Sequence, residues 1–121
     1  MRTGAGSLTG RCILVVEDDF DIADLLVTLC KAAGAEIVGP AGTVKDALAL
    51  IASKERIDGA VLDVNLRGEM VYPLADVLRS KGVPIVFLTG YDKSSVVPRF
   101  ADVPCLQKPV TVERLVQALL G

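Results

Sequence analysis

The strongest constraint on the fold is an alternation, repeated along the chain, of short apolar runs with amphipathic stretches of helical period. Cys12-Ile13-Leu14-Val15-Val16 is continuously apolar and ends in acid, the pattern of a parallel strand buried on both faces. Ile22, Leu25, Leu26 and Leu29 then recur at helical spacing, with Gly34 as a stop. Glu36-Ile37-Val38 predicts a second strand closed by Gly39-Pro40, and Thr43 followed by Asp46 predicts a capping box. Behind it Val44, Ala47, Leu48 and Ile51 form the next helical stripe. Ala60-Val61-Leu62 gives a third strand ending in Asp63, and Met70, Leu74, Val77 and Leu78 a third helix stopped near Gly82. Pro84 to Leu88 is a fourth strand, Cys105-Leu106 a short fifth, and Val112, Leu115, Val116 and Leu119 the last helical stripe. From Asp92 to Asp102 the pattern is weak and Pro98 interrupts it, so a fourth helix there is expected to be short or broken. Five strands alternating with about five helices predict an α/β domain, a doubly wound five-stranded parallel sheet with right-handed crossovers.

Composition removes other classes. The chain has 121 residues, the size of one domain. About a third of them are Leu, Ile, Val or Phe, too many for a disordered chain, and with no Trp the core must be mainly aliphatic. The formal net charge of −2 offers no basic footprint, so no nucleic-acid partner is expected. The apolar runs fall far short of the roughly 20 residues a membrane span needs, so no membrane partner is expected either. Residues 1–10 have no apolar signal core and are expected to form a flexible tail before a domain at 11–121, in a cytoplasmic protein with no output domain. Three Cys with no CxxC pair argue against a disulfide framework or zinc site, so Cys12, Cys30 and Cys105 are read as small hydrophobes. The chain has no His, which excludes His-based acid–base catalysis and His-ligated metals.

In a doubly wound sheet, ligands bind beyond the carboxyl ends of the strands. After the first strand come Glu17, Asp18 and Asp19; after the third, Asp63, Val64 and Asn65; after the fourth, Thr89 and Gly90; after the fifth, Lys108 and Pro109. Asp19 doubles as an N-cap for the first helix. Neighbouring carboxylates repel one another unless a hard cation lies between them, and Mg²⁺ takes such oxygen ligands while keeping waters. An ammonium, a hydroxyl and free backbone N–H groups suit phosphoryl oxygens. A carboxylate beside Mg²⁺ can attack phosphorus to form an aspartyl phosphate, and Asp63, at the centre of the rim, is the candidate.

These residues resemble the receiver domain of two-component response regulators. The resemblance runs from Arg11 to Gly121 and rests on Val15-Val16-Glu17-Asp18, Asp63-Val64-Asn65-Leu66, Leu88-Thr89-Gly90 and Lys108-Pro109, each at the end of the right strand. It implies a flavodoxin-like fold and a phosphoprotein of signal transduction and phosphorelay. Asp63 would be the phosphoacceptor. Asp18 would ligate Mg²⁺ (or Mn²⁺) directly, Glu17 would hold it through water, and Asp63 and the Asn65 backbone carbonyl would complete the set. Thr89, Gly90 and Lys108 would bind the phosphoryl group, and Thr89 would report its arrival. The donor would be a sensor histidine kinase or a phosphotransfer protein. The chain would catalyse only its own phosphorylation and dephosphorylation, and would signal by phosphorylation-controlled protein binding or act as a phosphate sink.

The sequence also departs from the family pattern. Cys105 stands three residues before Lys108, where many receivers carry an aromatic switch; Tyr91 lies two residues past Thr89 and is the candidate replacement. Arg67 stands where many receivers have Pro, and the segments Asp63–Thr89 and Thr89–Lys108 are shorter than usual. Phe87-Leu88-Thr89-Gly90-Tyr91 with Gln107-Lys108-Pro109 resembles the FAT GUY branch of single-domain receivers, although Leu88 replaces the Ala of its name. Two other functions compete. An aspartyl-phosphate phosphohydrolase of the haloacid-dehalogenase kind needs a second carboxylate two residues past the nucleophile, where this chain has Asn65. A phosphate-independent pseudo-receiver, a docking module that keeps the fold and loses the switch, would not depend on Asp63.

Overall fold

The computed structural model describes residues 8–53, 56–90 and 96–120. Strands β1 (Cys12–Val16), β2 (Glu36–Ala41), β3 (Gly59–Asp63), β6 (Ile85–Thr89) and β7 (Cys105–Gln107) form one sheet in the order β2-β1-β3-β6-β7. Every pairing in it is parallel. That order is flavodoxin-like, and its direction reverses between β1 and β3. Four α-helices connect or follow the strands among the described residues: α1 (Phe20–Ala32), α2 (Val44–Ser53), α3 (Tyr72–Ser80) and α4 (Val112–Leu120). Strands β4 (Asn65–Leu66) and β5 (Glu69–Met70) form a separate antiparallel hairpin between β3 and α3.

Alternate residues of the central strands feed two cores. Leu14, Val16, Leu62 and Phe87 pack with Ala47 and Ile51 of α2 and with Leu74 and Leu78 of α3. Ile13, Val15, Val61, Val86 and Leu88 pack with Leu26 and Cys30 of α1 and with Leu115 and Leu119 of α4. A strand buried on both faces cannot alternate apolar with polar residues, which is why β1 is apolar throughout and β3 and β6 are free of polar side chains until their last residues, Asp63 and Thr89. The first core holds three aromatic residues: Phe100 stacks on Tyr72 at 5.7 Å and meets Phe87 edge-on at 5.5 Å.

The N-cap at Asp19 forms as expected, and of the capping box expected at Thr43 and Asp46 the bond to the Thr43 side chain is present. Asp19 Oδ1 accepts from the Ile22 N–H at 3.1 Å, and Thr43 Oγ1 accepts from the Asp46 N–H at 3.0 Å. Several sequence expectations are corrected. β2 does not end at Gly39-Pro40; it runs to Ala41, with a register shift opposite Leu14 and Val16 that absorbs the extra residue. Gly39 allows this with φ +98, where a side chain would meet backbone atoms of Ala41 and Val15. Met70 is not on α3: it pairs with Asn65 in the hairpin and is half exposed, because Arg67 and Gly68 take positive φ and close a two-residue turn. Leu25 and Leu48 face outward, and the core side of α1 is Ala23, Leu26 and Cys30. The tail expected over residues 1–10 is anchored at its end, since Leu8 is fully buried and its N–H donates to the Ala33 carbonyl at 2.7 Å. Between β6 and β7 the described residues hold a single 3-10 turn, Pro98–Phe100. No helix among the described residues is long and apolar enough to cross a membrane.

Candidate functional site

Strand register brings the predicted residues to one level. Val16 is the last residue of β1 and pairs with Leu62, Asp63 ends β3 and pairs with Leu88, and Thr89 ends β6 and pairs with Gln107. Glu17, Asp18, Asn65, Gly90 and Lys108 each follow within a residue or two. The result is an open cleft of about 530 Å³ lined by Asp18, Asp63, Asn65, Thr89, Gly90 and Lys108, together with Arg67 and Met70. Glu17 is buried at the edge of this cleft.

Asp63 is 7% exposed and both its oxygens are engaged. Oδ1 accepts from the Asn65 N–H at 3.0 Å, and Oδ2 accepts from Lys108 Nζ at 2.9 Å. Lys108 also lies 3.2 Å from Glu17 Oε1. That contact is an ion pair outside hydrogen-bond geometry, and among the described residues Glu17 Oε1 accepts no hydrogen bond. Glu17 Oε2 accepts from the Asp19 N–H at 3.1 Å. Burial pushes the Glu17 carboxyl up from 4.5 to about 7; repulsion by Asp63 adds to this, while the Asp19 N–H and Lys108 oppose it. Burial works against the charged form of Lys108, but its bond to Asp63 and the nearby negative charges of Asp63 and Glu17 outweigh that and raise it.

The cluster matches the donor chemistry of a hard divalent cation. Glu17, Asp18 and Asp63 each offer a carboxylate oxygen, and these atoms all lie within 4.8 Å of one another. All the donors are oxygen, two of the three acids are buried, and one Glu17 oxygen has no hydrogen bond to give up. This is the ligand set Mg²⁺ accepts, and sulfur- or nitrogen-loving metals have nothing to hold them here.

The remaining predicted residues fall out differently. Thr89 is buried at the cleft, and its carbonyl accepts from the Lys108 N–H at 3.1 Å, which ties β6 to the lysine that reaches Asp63. Cys105 pairs with Phe87 in β7 and packs against the first core, away from the cleft. Tyr91 lies outside the described residues. Sequence reading passed over one site residue: Arg67, whose Nε donates to Asp18 Oδ2 at 2.9 Å. Its only signal was an unexpected residue type in the loop after Asp63.

Fold and site together define a receiver. Residues 13–120 match the response regulator receiver domain family, and the chain belongs to it. Among solved structures it is similar to SdrG from Sphingomonas melonis Fr1, with a TM-score of 0.81 and 39% identity over 98% of this chain and 97% of that one. The BeF3-activated conformation of SdrG, from Pseudomonas melonis Fr1, gives a TM-score of 0.76 at 39% identity, covering 96% of this chain and 95% of that one. A response regulator receiver protein from Sinorhizobium medicae WSM419 gives 0.77 at 25% identity, covering 93% and 94%. Among curated proteins the chain is 29% identical to the transcriptional regulatory protein PdtaR of Mycobacterium tuberculosis over 97% of its own length, and spans 58% of that protein.

Proposed function

We propose that this chain is a phosphorylation-controlled signalling receiver that takes a phosphoryl group on Asp63. The observation that carries this reading is the placement of Asp63. It is a buried carboxylate at the end of the central strand, bonded to Lys108 and grouped with two more acids at the wall of an open cleft.

Glu17, Asp18, Asp63 and the Asn65 backbone carbonyl would hold Mg²⁺ or Mn²⁺, which would supply neutralisation of the clustered charge and polarisation of the phosphoryl oxygens. The chain's own residues do the rest. The Asn65 N–H and the Lys108 ammonium fix the Asp63 carboxylate in place before reaction. One Asp63 oxygen then attacks the phosphorus of the donor. A new O–P bond forms as the donor's bond to phosphorus breaks, and the leaving group departs with that electron pair. Lys108 is positioned to stay with the developing charge, and Thr89 and the Gly90 backbone to meet a phosphoryl oxygen. The modified Asp63 carries up to about two negative charges, enough to redistribute the bonds of Thr89 and the loop after it and to bias a two-state equilibrium.

The donor is a sensor histidine kinase or a phosphotransfer protein in the cytoplasm. The output is protein binding at the receiver surface or competition for phosphoryl groups. Similarity to SdrG over nearly all of that chain supports a role carried by the receiver fold itself. Placement in the FAT GUY branch rests on the resemblance of Phe87–Tyr91 and Gln107–Pro109 to its pattern. The chain catalyses only its own phosphorylation and dephosphorylation.

Intact mass after incubation with acetyl phosphate tests the reading. A gain of one phosphoryl group that needs both a divalent cation and Asp63, and is lost in Asp63→Ala, is the expected result. No gain, together with no binding of beryllofluoride, would overturn it in favour of a docking module.

A further inference from the structure

Arg67 is an unusual residue for its place. It sits at the first position of a two-residue hairpin turn with φ +55, followed by Gly68 with φ +93. Gly or Asn suits that conformation, whereas a long side chain there is strained. The turn gains nothing from the side chain in packing, since Arg67 is 81% exposed. What the side chain does is reach across the cleft mouth to Asp18, placing Nε 2.9 Å from Oδ2. The hairpin that carries it is anchored at its other end, where Glu69 Oε1 accepts from the Val44 N–H at the start of α2. The guanidinium is therefore delivered to the acid by a fixed support.

We propose that Arg67 is a built-in counter-ion that a divalent cation must displace from Asp18, so that it sets the cation concentration at which the site fills. This rests on reading the acidic cluster as the divalent-cation site. Among the described residues, the three acids of that cluster face two cations. Lys108 bonds Asp63 and approaches Glu17, and Arg67 holds Asp18. An entering cation shares its ligands with both. Lys108 is three-quarters buried, and its bond to the phosphoacceptor leaves it little freedom. Arg67 is in water, pairs with a single acid among the described residues and leaves at low cost, so it is the group that gives way. Its positive charge close to the site weakens cation binding while it remains and frees an anion-binding arm at the cleft mouth once it has left.

The test is Mn²⁺ binding to the unphosphorylated chain, read as free Mn²⁺ by electron paramagnetic resonance, with far-ultraviolet circular dichroism to confirm folding. Arg67→Asn, which suits the positive φ, should bind Mn²⁺ roughly two- to fivefold tighter than wild type at low ionic strength, the range of an exposed ion pair. The gain should shrink at about 1 M salt, where the charges are screened. Arg67→Lys keeps the charge and should stay near wild type; Arg67→Gly is the second neutral variant should the first misfold. Asp18→Asn serves as the reference. If Asp18→Asn loses Mn²⁺ binding while both neutral Arg67 variants bind no tighter than wild type, the counter-ion proposal falls and the metal site stands. The same proposal falls if Arg67→Lys tightens binding as much as Arg67→Asn. If Asp18→Asn binds as wild type does, the metal reading of the cluster falls with it.

Discussion

Glu17→Gln removes a charge and keeps the shape of the side chain, and its effect on the metal-free protein follows from the site's electrostatics. Glu17 is 3% exposed. Burial, with help from Asp63, moves its carboxyl from 4.5 to about 7, so the folded chain holds the proton longer than the unfolded chain does. The sign follows directly. Below pH 4.5 both states hold the proton and Glu17 costs nothing. As pH rises toward 7 only the folded state still holds it, so stability falls; above 7 the loss is complete. Each pH unit between the two values is worth about 1.4 kcal/mol, so the full penalty lies at about 3–4 kcal/mol; between pH 5 and pH 8, and after relaxation around the charge, about 2 kcal/mol of it is expected. Gln does not titrate and escapes the penalty. In EDTA, the stability advantage of Glu17→Gln should therefore grow by about 2 kcal/mol between pH 5 and pH 8. In urea that is a further rise in midpoint of about 1–2 M for a chain of this size. Urea unfolding followed by circular dichroism at the two pH values measures it directly. Saturating Mg²⁺ should narrow the gap at pH 8, because it favours the wild type, which retains the ligand. An advantage of equal size at pH 5 and pH 8, or a variant less stable than wild type at pH 8, would refute the argument that buried charge at Glu17 opposes folding.

Other consequences follow from packing. Phe100 is fully buried between Tyr72 and Phe87, with the guanidinium groups of Arg79 and Arg99 at 4.7 and 4.9 Å from its ring. Phe100→Ala should cost about 3–5 kcal/mol in chemical denaturation, and a loss under about 1 kcal/mol would mean that the 3-10 turn is not held by this ring. Burial raises the Cys30 thiol to about 11, and the residue has no exposed surface. Iodoacetamide at pH 8 should therefore modify Cys30 last, with the third thiol appearing in mass spectra only after unfolding.

How far the sequence could be read depended on the distance over which each feature is decided. The strand at Cys12–Val16 and the caps at Asp19 and Thr43 depend on neighbours a few residues away, and all were legible. The stripes of α1 and α2 were legible as helices but not as faces. Leu25 and Leu48 share the apolar period of their neighbours, and only the position of the sheet turns them outward. Met70 was misread for a related reason: it falls in helical step with Leu74, while the positive φ of Arg67 and Gly68 commits it to a hairpin. Leu8 carried no periodic signal, because a single buried residue makes none.

By itself, the sequence determined the class of fold and the chemistry of one rim. Both follow from where apolar runs stop, and in a parallel sheet every run stops on the same side. Only the tertiary structure decided which charges meet. Lys108 reaches Asp63 across 45 residues because β6 lies between β3 and β7 in register. Arg67 reaches Asp18 across 49 because a left-handed turn folds the hairpin over the cleft. Electrostatic interaction depends on separation in space and on the water excluded between the charges, and neither quantity is written in the order of residues along a chain.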